Sequence, residues 1–189
     1  MNPILCRLET APLLEALRVE ETDEASALRL SERLARSKSA PLVVIDTNVL
    51  LDFWVWDDPV ARPLLDDIRA ERVVALRSVD TVDELADVLS RSHFDLSVAQ
   101  QTEILREWHA LSFNVVVSET AVARCKDRDD QKFLNLARSA GARYLISKDK
   151  LVLKTARRAR LDGFDVMTPE SWRRLRESTT TDSTAQSTP

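Results

Sequence analysis

Residues 42–54 read LVVIDTNVLLDFW. The apolar run Leu42–Ile45 stops at Asp46 and is followed at once by Thr47 and Asn48. A short, unbroken apolar run bounded by polar residues is what a strand buried on both faces requires. The strand therefore delivers a carboxylate to its own end, where a buried charge is costly unless something compensates it.

Working outward, further apolar runs at 73–76, 113–117 and 143–147, and a weaker one at 164–167, read as strands. Helical periodicity fills 60–70, 79–91, 97–110, 131–140 and 150–160, with a short helix near 170–176. Strands that alternate with helices predict right-handed crossovers and a parallel sheet covered on both faces, an α/β fold in three layers. In such folds sites form beyond the carboxyl ends of the strands.

Two segments fall outside the alternation. Residues 1–40 read as an N-terminal helical arm, with Ala27, Leu28, Leu30 and Leu34 loosely periodic and Ser37–Pro41 as a break, packing on the core or on another chain. Residues 177–189, ending in STTTDSTAQSTP, hold no large apolar residue and are expected to be disordered. The domain proper is thus expected over 41–176.

A chain of 189 residues, 44% hydrophobic and 31% charged, is long enough for one well-buried domain. It has no run of 18 apolar residues, and MNPILCRLETAP lacks the basic and apolar regions of a signal peptide, so a cytoplasmic protein without membrane contact is expected. Cys6 and Cys125 have no CxxC spacing and read as reduced thiols. The net charge of -4 hides a segregation: residues 42–67 carry six Asp and one Arg, whereas 138–176 carry eleven Lys and Arg against four Asp and Glu. An acidic centre beside a basic flank suits metal-dependent work on a polyanion, and solvated helix faces would look the same.

Three further acidic stretches can join Asp46. In RSVDTVDELADVL, Glu84 lies off the apolar stripe of its helix; in ARCKDRDDQKFLNLA, Asp127, Asp129 and Asp130 precede a helix; in YLISKDKLVL, Asp149 follows a strand. Each has a plain alternative. Thr81 and Glu84 fit a capping box, and Asp130 and Asp149 fit helix N-caps. Together they would put four carboxylates at one sheet edge, where like charges about 4 Å apart cost roughly 4 kcal/mol per pair at an effective dielectric near 20. Such a cluster calls for a hard cation. All-oxygen ligands without His or Cys favour Mg2+ or Mn2+, with Asn48 adding an oxygen or orienting a water.

The blocks VVIDTNVLL, VDELADVL, CKDRDDQKFLNLA and GARYLISKD, in that order, resemble the four acidic blocks of PIN-domain ribonucleases, and are most similar to a bacterial branch described as toxins of toxin–antitoxin pairs. The resemblance covers about 42–172. It implies a PIN-like three-layer fold with a small parallel sheet, Mg2+- or Mn2+-dependent RNA cleavage, an antitoxin protein and a homodimer. It also implies that Asp46, Glu84, Asp130 and Asp149 are the catalytic metal ligands, with Asp127 as an additional ligand and Thr47 and Asn48 in support. The usual family spacing counted back from Asp149 reaches Gln131, so the third role passes to the adjacent Asp130. That departure keeps a second reading open, a catalytically weak or inactive module that binds RNA or protein.

Other folds fit less well. A haloacid-dehalogenase-type phosphotransferase needs an aspartate where Asn48 stands, and a response-regulator receiver needs a different order of Asp and Lys. Lys148, Lys150, Lys154, Arg157 and Arg158 offer a phosphate-binding edge. Trp54 and Trp56 suit stacking on RNA bases or packing, Trp108 and Trp172 suit packing, and His93 and His109 lie outside every acidic block.

Overall fold

The computed structural model of the protein describes Glu15, residues 23–36 and residues 40–185, with side chains described for 15, 27–35 and 40–178. The rest of the N-terminal arm and residues 186–189 lie outside the described residues. In chain order the elements are α1 (Asp23–Arg36), β1 (Leu42–Ile45), α2 (Thr47–Trp54), α3 (Arg62–Arg69), β2 (Val74–Arg77), α4 (Val79–Leu89) and α5 (Val98–Leu111). There follow β3 (Ser112–Asn114), α6 (Gln131–Ser139), β4 (Tyr144–Ile146), α7 (Lys150–Leu153), α8 (Ala156–Ala159), β5 (Asp165–Met167) and α9 (Pro169–Ala185). Single 3-10 turns occupy Ser92–Phe94 and Arg160–Asp162.

The five strands form one sheet in the order β3-β2-β1-β4-β5, with every pairing parallel. The chain winds outward from β1 to β2 and β3, then returns to the other side of β1 for β4 and β5. The strand order therefore reverses at the β1–β4 junction, the place where a crevice opens beyond the strand ends. β1 is central and pairs Val43 with Tyr144, Val44 with Leu145 and Ile45 with Ile146.

The pleat of β1 divides the core. Val43 and Ile45 pack with Leu50, Leu64, Leu85, Leu105 and Trp108 on one face, while Val44 packs with Leu76, Phe133, Leu134, Leu145 and Phe164 on the other. Both faces are dry, which is why the strands read as unbroken apolar runs rather than alternating ones.

The elements depart from the sequence reading in four places. The run Thr47–Trp54, which carried no helical signal, is α2. Six of its eight residues are buried, so the one-sided periodicity that marks a surface helix is missing. The stretch 150–160 is two short helices, because the buried Thr155 hydroxyl donates to the Val152 carbonyl (2.7 Å) and opens the turn. The strand expected over 113–117 pairs only over Ser112–Asn114, at the sheet edge. The helix expected near 170–176 runs over Pro169–Ala185, into the stretch read as tail.

Within the arm, Leu30 and Leu34 of α1 pack on the Val44 side of the core, and the buried Arg33 guanidinium donates to the Glu71 carbonyl. α9 is tied down by buried Asp67 of α3, which accepts from Trp172 Nε1 (3.0 Å) and Arg72 Nε (2.5 Å) and pairs with Arg176 (2.8 Å). No described helix is long and apolar enough to cross a membrane.

Replacing Asp67 with Ala leaves the buried Trp172 N–H without an acceptor, which costs about 2 kcal/mol. A lower urea midpoint at unchanged slope is the expected result; an unchanged midpoint would show that α9 is not held by this contact.

Candidate active site

The parallel register of β1 with β4 decides where the first carboxylate goes. Asp46 N–H continues the ladder by donating to the Ile146 carbonyl (2.9 Å), which sets Asp46 beside Ser147. The Ser147 hydroxyl donates to Asp46 Oδ2 and accepts from the Asp149 N–H (2.9 Å), so one fully buried serine links two acidic residues 103 positions apart in chain order. Asn48 donates from its amide Nδ2 to Asp46 Oδ2 (2.9 Å) and from its backbone to Oδ1 (3.3 Å), and its Oδ1 accepts from the Lys148 N–H (3.2 Å). Asp46 is thus the N-cap of α2 and an anchored, buried carboxylate at once.

The plain alternatives separate on inspection. The capping box does not involve Glu84: α4 begins at Val79, and Thr81 serves its start by accepting from Ser78 N–H (2.9 Å). Glu84 lies one turn further on, and its Oε2 pairs with Lys132 Nζ (2.5 Å), both side chains being about three-quarters buried. Asp130 stands at the N-cap of α6 yet its side chain caps nothing; its Oδ2 meets Cys125 Sγ at 3.8 Å. Asp149 does cap α7, through Oδ1 to Leu151 N–H (2.6 Å) and Val152 N–H (3.2 Å). A cap uses one oxygen and leaves the other for different work.

Electrostatics ties these residues together. Burial pushes the Asp46 carboxyl up to about 6; hydrogen bonds from Ser147 and Asn48 oppose the shift, and the charges of Asp130 and Glu84 add to it. Burial likewise pushes Asp130 up to about 6, reinforced by Asp149, Asp127 and Glu84. The fold therefore brings Asp130 and Glu84 into the field of Asp46, and Asp149, Asp127 and Glu84 into that of Asp130, with Asp127 on an exposed loop where it accepts from Asp129 N–H (3.0 Å).

Gln131 has a different task. Its Oε1 accepts from Cys125 N–H (2.9 Å), and its Nε2 donates to the Ala123 carbonyl (3.1 Å) and to Asn135 Oδ1 (3.0 Å). From the other side, the buried Asp162 carboxylate accepts from the N–H groups of Val122 and Ala123, both at 2.8 Å. Together they clamp the segment that leads into the third acidic block, which places Asp130 rather than residue 131 toward the carboxylates. Glu84, Asp127, Asp129, Asp130 and Lys132 line an open cleft of about 710 Å³; Asp46 and Asp149 are not in its lining.

Among the described residues, no three His, Cys, Asp or Glu side chains are gathered closely enough to grip an ion as they stand. The donor set nevertheless fits a hard divalent cation. It is all oxygen, neighbouring carboxylates raise the affinity of Asp46 and Asp130 for positive charge, and one ammonium, that of Lys132, already sits on Glu84.

The remaining candidates scatter. Thr47 is buried, and its hydroxyl has no hydrogen-bond partner among the described residues. Lys148 is committed to the buried Asp52 carboxylate (2.6 Å), so it is not a free phosphate ligand. Lys150 on α7, Lys154 just past its end, and Arg157 and Arg158 on α8 are exposed and carry no ion pair among the described residues. Trp108 and Trp172 are core residues, Trp54 is partly buried with its Nε1 donating to Glu107 (2.9 Å), and Trp56 stays open to solvent. Two contributors carry no signal of their own in the sequence: Ser147 is the last residue of the run 143–147, and Lys132 stands within a helical stretch.

A family model described as PIN domain matches residues 42–151, from β1 into α7, and spans all four carboxylates. This is shorter than the 42–172 over which the blocks resemble that family. No curated protein and no solved structure matches the chain.

Both raised carboxyls hold a proton to higher pH in the folded chain than their ordinary value of 3.8 allows. Between about 4 and about 6 the folded state binds more protons than the unfolded one, so this part of the stability falls as pH rises and is level above that window. Asp46→Asn is therefore expected to be about 1–3 kcal/mol more stable than the parent at pH 8. The advantage should disappear below pH 4, as thermal melts across that range would read.

Proposed function

The chain belongs to the PIN-domain family, whose members are generally metal-dependent nucleases, and on that premise we propose that it is a metal-dependent endoribonuclease. We propose further that it is the toxin of a toxin–antitoxin pair, a cytoplasmic protein working as a homodimer; similarity of the four acidic blocks to the bacterial toxin branch supports this part. The observation that carries the nuclease reading is the gathering of carboxylates at the carboxyl edge of a parallel sheet, where Ser147 bridges Asp46 to Asp149 and Asp130 lies in the fields of Asp149 and Glu84.

In this reading the four carboxylates hold Mg2+ or Mn2+, with Asp127 as an additional ligand. The ion supplies Lewis acidity toward a phosphodiester and toward water. The chain's own groups do the rest. Ser147 and Asn48 fix the orientation of Asp46, so that ordering it costs nothing when the substrate arrives. Gln131 and Asp162 hold the loop that presents Asp130. Lys132 neutralises part of the cluster's charge and lets an RNA phosphate approach an otherwise repellent surface. Lys150, Lys154, Arg157 and Arg158 stand on and between the two helices that follow Asp149 and supply the positive edge on which the RNA backbone rests.

The alternative is a catalytically weak or inactive module that binds RNA or protein. The cutting reading draws support against it from Gln131 being a loop clamp beside Asp130, and turnover separates the two.

Incubation of a mixed single-stranded RNA pool with the purified protein and Mg2+ or Mn2+ is expected to give cleavage that EDTA abolishes and Asp46→Asn lowers by at least a thousandfold. Cleavage by Asp46→Asn at the parent rate would remove Asp46 from the mechanism. Charge reversal at Lys154 and Arg157 together should weaken RNA binding and flatten its dependence on salt by about two counterions. An unchanged salt slope would place the RNA backbone elsewhere.

A further inference from the structure

The stretch DFWVWDD leaves one residue that neither the core nor the carboxylate cluster uses. Trp56 is 52% exposed, among the most exposed large apolar side chains described. It does not stand alone: its ring centroid is 6.0 Å from that of Phe94, and Phe94 in turn lies 3.9 Å from His93. The two backbone turns behind these rings are alike. Asp57 (φ 49°) and Asp95 (φ 50°) are both left-handed, an uncommon state for residues other than glycine, and each directly follows one of the two rings.

A cation joins this aromatic group to the acidic site. Lys148 Nζ lies 5.4 Å over the Trp56 ring and 2.6 Å from Asp52 Oδ1. The backbone N–H of the same lysine donates to Asn48, whose amide donates to Asp46, and Asp149 is its neighbour in the chain. From the other direction, α2 runs from Asp46 at its N-cap to Trp54, about 12 Å for eight residues, and Trp56 follows two positions later.

We propose that Trp56, Phe94 and His93 form a platform for one unpaired nucleobase of a single-stranded RNA whose backbone crosses the neighbouring carboxylate edge. This deepens the nuclease reading and rests on it. Aromatic rings bind bases of any sequence through their faces, and Lys148, held by Asp52, ties the platform to the strand end that carries Asp149. Two of the acidic groups around the platform are paired with cations, Asp52 with Lys148 and Asp57 with Arg62, while Asp58 accepts from Val60 N–H (2.8 Å) and Asp95 is exposed. Three rings are also far smaller than the roughly 800 Å² that each partner buries in a stable protein complex. The platform accounts for strand choice, because a paired base is not available to stack.

The test measures the affinity of a labelled single-stranded RNA oligonucleotide of mixed sequence for full-length Asp46→Asn in Mg2+, with and without a second change at Trp56. Adding Trp56→Ala is expected to weaken binding about tenfold, and adding Trp56→Phe to restore most of it, while affinity for the same oligonucleotide annealed to its complement stays put. Quenching of tryptophan emission by the single strand should vanish with Trp56→Phe. Equal single-strand affinity with and without the Trp56 ring overturns the platform, as does a Trp56→Ala change that alters only the mass in solution and so marks a protein interface. Cleavage by the parent with Trp56-independent binding defeats the platform alone. Trp56-dependent binding without cleavage defeats the nuclease reading alone, and no RNA binding by any variant defeats both.

Discussion

The hydrogen bond from Asp46 N–H to the Ile146 carbonyl is the constraint on which the rest of the site depends. It extends the β1–β4 pairing one residue past the strand and fixes Asp46 beside Ser147. A one-residue slip would turn every side chain of β1 to the opposite face, burying Asp46 in one of two dry cores. Val43 and Ile45 on one face and Val44 on the other forbid that slip, so the packing of three apolar residues sets the position of a carboxylate.

From that fixed point the cluster is assembled by three other pieces of chain, each held by a contact that has nothing to do with chemistry. α4 carries Glu84 because Ser78 and Thr81 start the helix at Val79. The loop before α6 carries Asp130 because Gln131 and Asp162 bind its backbone. Ser147 carries Asp149 through its N–H. The result gathers like charges under burial, which raises the proton affinity of Asp46 and Asp130 and destabilises the fold at neutral pH. Such a local cost is characteristic of a site whose purpose is to hold positive charge. Lys132 offsets part of it, and a divalent cation would offset more.

The parallel α/β architecture was legible because its signal is simple: apolar runs of strand length separated by helical periodicity. The order of strands was not, since nothing in a run of valines says which neighbour it will pair with. α2 was invisible for the opposite reason, being too apolar to show a face. The four acidic positions could be picked out by their location at strand ends and helix starts, yet each had a capping explanation that only the structure could weigh. Asp149 proved to be a cap as well, whereas the Asp130 side chain caps nothing and Glu84 left its cap to Thr81.

What the sequence by itself determined was the layer architecture and the residue types at the sheet edge, because burial periodicity and strand ends are written locally. The tertiary structure alone decided which oxygens share a field, that Ser147 bridges Asp46 to Asp149, that Lys132 reaches Glu84 and that Lys148 is spent on Asp52. The contacts Ser147–Asp46, Lys132–Glu84 and Lys148–Asp52 join residues 48 to 101 positions apart in the chain. Their meeting depends on the strand order and register of the sheet, which are global properties of the packed core and have no local signature.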